Sequence, residues 1–413
     1  MNSGRRVLIS EGSSLSARQA ITSLGLAGHR IGICDSNPMC LGRFSRFVTH
    51  YYRSPAFGVD PWAYFEFVVD VLSQGSWDVL LPTHEQAFLF SRERASIPSR
   101  VGVALSDFQS FLQLQGKSAL VKTLRRLEIP QPESFVLGGA AELRRIRRFP
   151  FFLKTDYATA SRGVWKIQSA RELQLKCNEL ESALFDEGQE FVVQEVAEGP
   201  LERVQAIFND GELIAIHGYR QLAEGPGGGD IAKIGINRAI VRDYMIQIGR
   251  KLRWHGALSF DYVFAQADQS PLFIDANPRL VEPMNATLSG VNLADLLVRV
   301  SICDRVQVAQ PGVENTRTHM LLMALLSVAT TLNSRRAIAA EFFRAILRRG
   351  IYSGSQEELL PLTTDFKGIF PLVYVFTRLL IRPGSAGEIS LGSIAAYSMG
   401  SSAAQQIASK PRR

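Results

Sequence analysis

Cysteine is scarce in this 413-residue chain: four residues, Cys34, Cys40, Cys177 and Cys303, with no Cys-x-x-Cys pair among them. That excludes a zinc ribbon, a thioredoxin-type motif and a disulfide scaffold, and it fits ordinary thiols in a reducing compartment. Long apolar runs are missing too. The nearest are His319–Leu332 and Ile369–Ile381, the second interrupted by Arg378, and both fall short of the roughly 18 residues of a membrane span. After Arg5-Arg6 come Val-Leu-Ile-Ser and then small and polar residues, not the apolar stretch of a signal peptide. A cytoplasmic location is therefore expected. Several nucleotide and metal signatures are incomplete. Gly116-Lys117-Ser118 resembles the end of a phosphate-binding loop, but Phe111 stands where its first glycine belongs. His84-Glu85 lacks the second histidine of a zinc protease, because position 88 is Phe88. The turn Ser10-Glu11-Gly12-Ser13-Ser14 has one glycine, not the three of a dinucleotide fingerprint. No biotinylation Met-Lys-Met, no internal repeat and no basic strand interleaved with aromatics is present, so no nucleic-acid partner is expected.

What is there is a globular composition, 46% hydrophobic and 21% charged. The net charge of +7 is uneven: from Val306 onward there are twelve Lys/Arg and six Asp/Glu. That basic quarter either faces an acidic partner or an anionic membrane, or is a solvated surface on a helical appendage.

Three regions read differently. In the first, Val7–Ser10, Arg30–Cys34 and Asp78–Leu81 have strand patterns, and Leu15–Leu26 and Trp62–Leu72 helical ones. That alternation predicts a parallel, doubly wound Rossmann-like sheet over residues 1–110. The middle, 111–305, is α+β. Strands are expected at Phe151–Lys154, Val164–Ile167, Phe191–Glu195, Val204–Asn209, Leu213–Tyr219, Ala257–Ala265 and Pro271–Asp275. Helices are expected at Ser118–Leu127, Ala170–Leu184 and Ile240–Leu252, and a hairpin turn at Asn209-Asp210-Gly211-Glu212. Residues 306–413 read as mostly helical, with helices at Arg317–Leu332 and Ser334–Arg349, the second capped by Ser334.

Four features in order make a nucleotide site. Lys117 opens a helix. Phe151-Phe152-Leu153-Lys154 is a strand presenting a lysine, followed by a small-residue loop, Thr155–Val164, able to close over phosphates. Val192-Val193-Gln194-Glu195-Val196-Ala197 is a strand running into a linker, where peptide groups can hold adenine. Asp261 and Asp275-Ala276-Asn277-Pro278-Arg279 converge from paired strands with hard oxygen ligands that suit Mg²⁺.

This order resembles the ATP-grasp superfamily, on its carbamoyl-phosphate-synthetase-like and carboxylate–amine ligase side, over roughly residues 5–305. Phe273-Ile274-Asp275-Ala276-Asn277-Pro278-Arg279 is close to its Ile-Glu-hydrophobic-Asn-Pro-Arg signature, with Asp275 in place of glutamate. The resemblance implies a pre-ATP-grasp domain at 1–110, ATP-grasp domains at 111–305 with a lid over about 118–195, and a helical extension at 306–413. It implies ATP held by Lys117, Lys154, the loop residues Ser161, Arg162 and Gly163, the segment Gln194, Glu195, Val196 and Ala197, and Glu202 at the ribose. Asp261, Asp275 and Asn277 would hold Mg²⁺, with Mn²⁺ a substitute. Arg279 and Arg220, the latter ahead of Pro226-Gly227-Gly228-Gly229, would hold the carboxylate and the transferring phosphoryl group. The implied reaction activates a small carboxylate as an acyl phosphate and couples it to an amine. A bicarbonate-activating enzyme and a catalytically silent ATP-binding protein are the alternatives. Pro82-Thr83-His84-Glu85 is either an acceptor contact or a helix start with an acidic first turn.

In the last region, Leu321, Leu322, Met323, Leu325 and Leu326, with Phe342, Phe343, Ile346 and Leu347, need cover. Packing on the core or across a homodimer is favoured over peripheral membrane contact, because Pro361, Pro371 and Pro383 break the region into short pieces.

Overall fold

Val7, Leu8 and Ile9 have no exposed surface, as befits a strand covered on both faces. In the structure, a computed structural model describing residues 4–157, 163–182, 190–304, 306–389 and 397–409, they form β1 (Arg6–Ile9). The chain continues through α1 (Leu15–Leu26), β2 (Arg30–Asp35), β3 (Val48–Arg53), α2 (Pro61–Gln74) and β4 (Val79–Leu81). These strands make a parallel sheet in the order β3-β2-β1-β4. β3 has no apolar alternation to announce it; it is a half-exposed edge strand held by backbone pairing to β2. The β1–α1 turn is filled by the chain's own acids. Glu11 accepts the N–H groups of Ser13 and Ser14 at 2.7 and 2.8 Å, and the Thr83 hydroxyl at 2.9 Å. Asp35 accepts Gly12 N–H at 2.8 Å. A carboxylate thus sits on the helix-start N–H groups that commonly receive a phosphate.

Next come α3 (Gln86–Arg92), α4 (Phe108–Gln115), α5 (Lys117–Arg126), β5 (Ser134–Gly138), α6 (Ala140–Leu143), β6 (Phe151–Thr155), β7 (Val164–Ile167), α7 (Ala170–Ser182) and β8 (Glu190–Glu195). The strands form a small antiparallel sheet, β5-β8-β6-β7. Its inner face, with Phe151, Leu153, Ile167, Phe191 and Val193, packs on Leu173, Cys177 and Leu180 of α7.

The largest sheet follows: β9 (Leu201–Asn209), β10 (Glu212–Glu224), β11 (Asp230–Ile236), α8 (Ala239–Leu252), β12 (Gly256–Ala265) and β13 (Ser270–Asn277). After α9 (Met284–Leu288) and α10 (Leu293–Ser301), β14 (Arg317–His319) and β15 (Gln356–Glu357) extend it to seven strands, β13-β12-β9-β10-β11-β14-β15. Asp210 and Gly211 both take positive φ, 47° and 92°, as the tight β9–β10 hairpin requires. The expected single helix over Arg317–Leu332 is divided. Residues 317–319 pair with β11, and α11 (Leu321–Leu332) starts after Met320. Then come α12 (Arg335–Ile346), capped by Ser334, α13 (Ile369–Ile381) and a last helix, Ser401–Ser409. Pro371 sits in the first turn of α13, where a missing N–H costs nothing.

Leu322, Leu325 and Leu326 are buried with Leu359, Leu372 and Leu379. Phe343, Ile346 and Leu347, expected to find cover on the protein, are instead more than half exposed. Buried ion pairs tie this region to the rest. Arg18 of α1 meets Asp365 at 2.9 Å with both side chains fully buried, and Lys233 of β11 meets Glu358 at 2.9 Å.

Candidate functional site

A cavity of about 290 Å³ lies between the small sheet and the seven-stranded one. Alternation along the strands decides what faces it. In β6, Phe151 and Leu153 turn into the α7 core, so Phe152 and Lys154 turn to the cavity, with Val164 of β7 beside Lys154 in register. In β9, Leu201 and Arg203 face the cavity and Glu202 does not. Asp261 of β12 is paired in register with both Arg203 and Asp275 of β13. Lys117 enters from the start of α5, and Arg279 and Glu85 close the far end. The α5 start is held by Asp156, which accepts the Ser118 N–H at 2.8 Å.

The charges are near each other and incompletely matched. Lys154 Nζ donates to the Ile274 carbonyl at 2.8 Å, and Lys117 Nζ lies 3.6 Å from Asp275. Burial lowers Lys154 to about 8, Asp275 opposing and Lys117 adding to the shift. Arg203 Nε lies 3.3 Å from Asp261 while its other arm holds Asp230. Burial raises the Asp261 carboxyl, and Asp275 and Asp230 raise it further against Arg203. Arg279 donates to Asn277 Oδ1 at 2.8 Å; burial lowers its pKa, with Glu85 opposing. Burial pushes Glu85 up to about 7 against the pull of Arg279 and Lys117, and its carboxylate accepts the Met399 N–H.

Lys117, Lys154, Asp261, Asp275, Asn277 and Arg279, named from the sequence, are thus brought to one cavity. Two others are not. Glu202 is fully buried on the opposite face of the sheet, taking Arg220 at 2.8 Å, Arg238 at 2.9 Å and the Tyr262 hydroxyl at 3.0 Å. Arg220 is on that face with it, because the two are paired in register. Neither reaches the cavity, and the ribose and phosphoryl roles expected of them are corrected accordingly. Gln194 shares the cavity-side face of the small sheet, but is buried and donates to Ser134 Oγ at 3.0 Å. Glu195 turns outward to Arg148, at 2.9 Å. Val196 and Ala197 follow in a half-buried stretch. The Gly163 carbonyl accepts Thr155 N–H at 2.8 Å; Ser161 and Arg162 lie outside the described residues.

Arg203 and Met399 were not anticipated. Both faces of β9 are buried, so its sequence carries no contrast to separate Arg203 from Glu202. Met399 arrives from the far end of the chain, and nothing local marks it.

The donor set fits a hard divalent cation: two carboxylates on facing register positions, with an amide next to them. Among the described residues no three or more His, Cys, Asp or Glu side chains cluster to hold a metal. An ion here would complete its shell with phosphate oxygens and water, the habit of Mg²⁺.

No family model and no curated protein matches the sequence. Solved structures do match the fold. The biotin carboxylase domain dimer of Hydrogenobacter thermophilus 2-oxoglutarate carboxylase, holding MgADP and bicarbonate, is 15% identical with a TM-score of 0.60, over 76% of this chain and 73% of that one. The fold is that of the ATP-grasp enzymes. An L-amino acid ligase from Bacillus licheniformis shares the ATP-grasp fold at 14% identity and TM-score 0.56, over 73% and 75% of the two chains. Carboxyaminoimidazole ribonucleotide synthase from Aspergillus clavatus, complexed with ATP, does so at 14% and 0.59, over 77% and 82%. No helix among the described residues is long and apolar enough to cross a membrane.

Proposed function

We propose that this chain is an ATP-dependent ligase that activates a small carboxylate as an acyl phosphate and couples it to an amine. The observation that carries the reading is the single cavity lined by Lys117, Lys154, Asp261, Asp275 and Arg279. The substrate's carboxylate oxygen attacks the γ-phosphorus of ATP and ADP leaves; the amine then displaces phosphate from the acyl carbon. Lys154 and Lys117 neutralise phosphate charge, since a buried cation beside a phosphate is worth far more than one in water. Arg203 orients Asp261. Arg279 forks onto the carboxylate and then onto the charge developing on the phosphoryl group. Glu85, pushed by burial up to about 7, can hold the incoming ammonium or accept its proton. Mg²⁺ held by Asp261, Asp275 and Asn277 would supply further positive charge to the phosphates; Mn²⁺ suits the same oxygen donors. Carboxylate and amine are small molecules, because a cavity of about 290 Å³ admits little else beside a triphosphate. The buried free thiols Cys34, Cys40 and Cys177 suit a reducing, ATP-rich compartment, which favours the cytoplasm.

Related folds serve carboxylation as well as amino-acid ligation, so bicarbonate is the competing substrate. The test is ADP release with Mg²⁺ against a panel of amino acids, other small carboxylates and bicarbonate, each with and without an amine. The ligase reading expects release that needs an organic carboxylate, and a product carrying a new amide bond. Release driven by bicarbonate alone favours the carboxylase. ATP binding without release under any condition favours a silent nucleotide-binding protein.

A further inference from the structure

α13 reads Ile369-Phe370-Pro371-Leu372-Val373-Tyr374-Val375-Phe376-Thr377, without a charge until Arg378. A helix apolar all round is expected to be buried all round. This one is not. Leu372, Val375 and Leu379 enter the core, but Phe370, Val373, Tyr374 and Ile381 are each more than half exposed. α12 lies alongside, antiparallel: Arg335 at its start donates to the Ile381 carbonyl at 2.8 Å, and the Phe342 and Phe376 rings stack at 4.3 Å. That register sets Phe343 level with Tyr374 and Leu347 level with Phe370. Phe343 and Leu347 are themselves more than half exposed. Two neighbouring helices therefore offer one uncovered apolar surface, far beyond the singly scattered residues normal on a protein.

The charge around it is mostly of one sign; the exposed acid, Glu388, just past α13, takes Arg378 at 2.8 Å and Arg382 at 3.3 Å. Arg336, Arg344, Arg348 and Arg349 are exposed on and after α12. Arg43 and Arg46 are exposed either side of Phe44, whose ring lies 6.5 Å from Phe370. The acids of α12 and of the segment leading to α13 are turned inward. Glu341 takes Tyr352, Glu357 takes the N–H groups of Leu321, Leu359 and Leu360, Glu358 takes Lys233, and Asp365 takes Arg18. No exposed acidic side chain stands between positions 335 and 382. A second copy of the chain is a poor cover, because a two-fold contact would set this arginine rim against itself. An apolar face ringed by cations complements a layer that is anionic at its surface and apolar beneath.

We propose that the α12–α13 surface docks on an anionic phospholipid bilayer, lying in its interface without spanning it. The active cavity would then work at a membrane surface. The inference is independent of the ligase reading.

The test is co-sedimentation of the full-length protein with vesicles of phosphatidylcholine, alone or mixed in equal parts with phosphatidylglycerol. The protein should pellet with the mixed vesicles, stay in solution with phosphatidylcholine alone, and be released by salt. Phe370→Glu with Val373→Glu should weaken binding by at least about tenfold. Arg348→Gln with Arg349→Gln should weaken it roughly fivefold per arginine. Both variants should keep the wild-type melting temperature and ATP affinity. Failure of the wild type to pellet with anionic vesicles overturns the proposal. So does equal binding to both vesicle types, or a dimer in sedimentation that Phe370→Glu dissociates. If the glutamate variant melts early, the arginine variant decides: unchanged vesicle binding there also overturns the proposal.

Discussion

The two faces of the seven-stranded sheet carry similar residues to different ends. On one, Arg203, Asp261 and Asp275 line a cavity with Lys117 and Lys154 opposite, and burial leaves Lys154 and Asp261 short of compensation. On the other, Glu202 takes Arg220, Arg238 and Tyr262 and is fully buried. Both faces hold an acid among arginines, and residue type alone does not separate them. What separates them is satisfaction. The Glu202 carboxylate is fully taken up by Arg220, Arg238 and Tyr262. The Asp261–Asp275 cluster has a cavity before it and charges whose strain a phosphate and a cation would relieve.

The contrast is broken most severely by substitutions on the cavity face. Asp275→Asn should abolish turnover in Mg²⁺ and leave the melting temperature unchanged, since the amide keeps the shape and loses the charge a hard cation prefers. Lys154→Ala should weaken ATP binding by about 1.5–3 kcal/mol, the worth of a hydrogen bond to a charged group, read by calorimetry. A fully buried structural pair should respond the other way. Asp365→Ala strands the buried Arg18 and should cost about 3–5 kcal/mol of stability in urea unfolding, with ATP affinity of the folded fraction unchanged. His217 is on the cavity side of the sheet but packed away from the cavity, on Asn285 at 2.6 Å. Burial pushes it down to about 4, so between about 6.5 and 4 the unfolded chain takes up a proton that the folded one does not. Stability should therefore fall as pH drops through that window, by on the order of 3 kcal/mol for this group. His217→Gln, which cannot titrate, should flatten that slope in melts from pH 7 to pH 4. The smallest effect should be Arg220→Met. Glu202 keeps Arg238 and Tyr262, so about 1 kcal/mol of stability is lost and ATP affinity does not move.

Much of the cavity was legible because its residues sit at chain positions with punctuation around them. Lys117 follows a helix break, Lys154 ends an apolar strand, and Asp275 to Arg279 are a contiguous run. The parallel sheet was legible from alternation, except for β3, which is held by backbone pairing and shows no apolar pattern. Glu202, and Arg220 paired with it, were placed on the wrong side because β9 is buried along nearly its whole length, so a one-residue choice of side could not be read from polarity. The helical extension was only partly legible. Residues 317–319 look helical alone and become a strand because β11 offers an open edge. The apolar residues of α11 and α12 were read as needing protein cover, and Phe343, Ile346 and Leu347, in and just after α12, are left more than half exposed.

The central claim is that the ATP site is on the cavity face and the Glu202–Arg220 face is structural. Calorimetric titration of Mg²⁺-ATP into the wild type, Lys154→Ala and Arg220→Met, side by side, tests it most directly. The account predicts about tenfold or greater weakening for Lys154→Ala and wild-type affinity for Arg220→Met. Equal weakening by both, or wild-type affinity in Lys154→Ala, would contradict it.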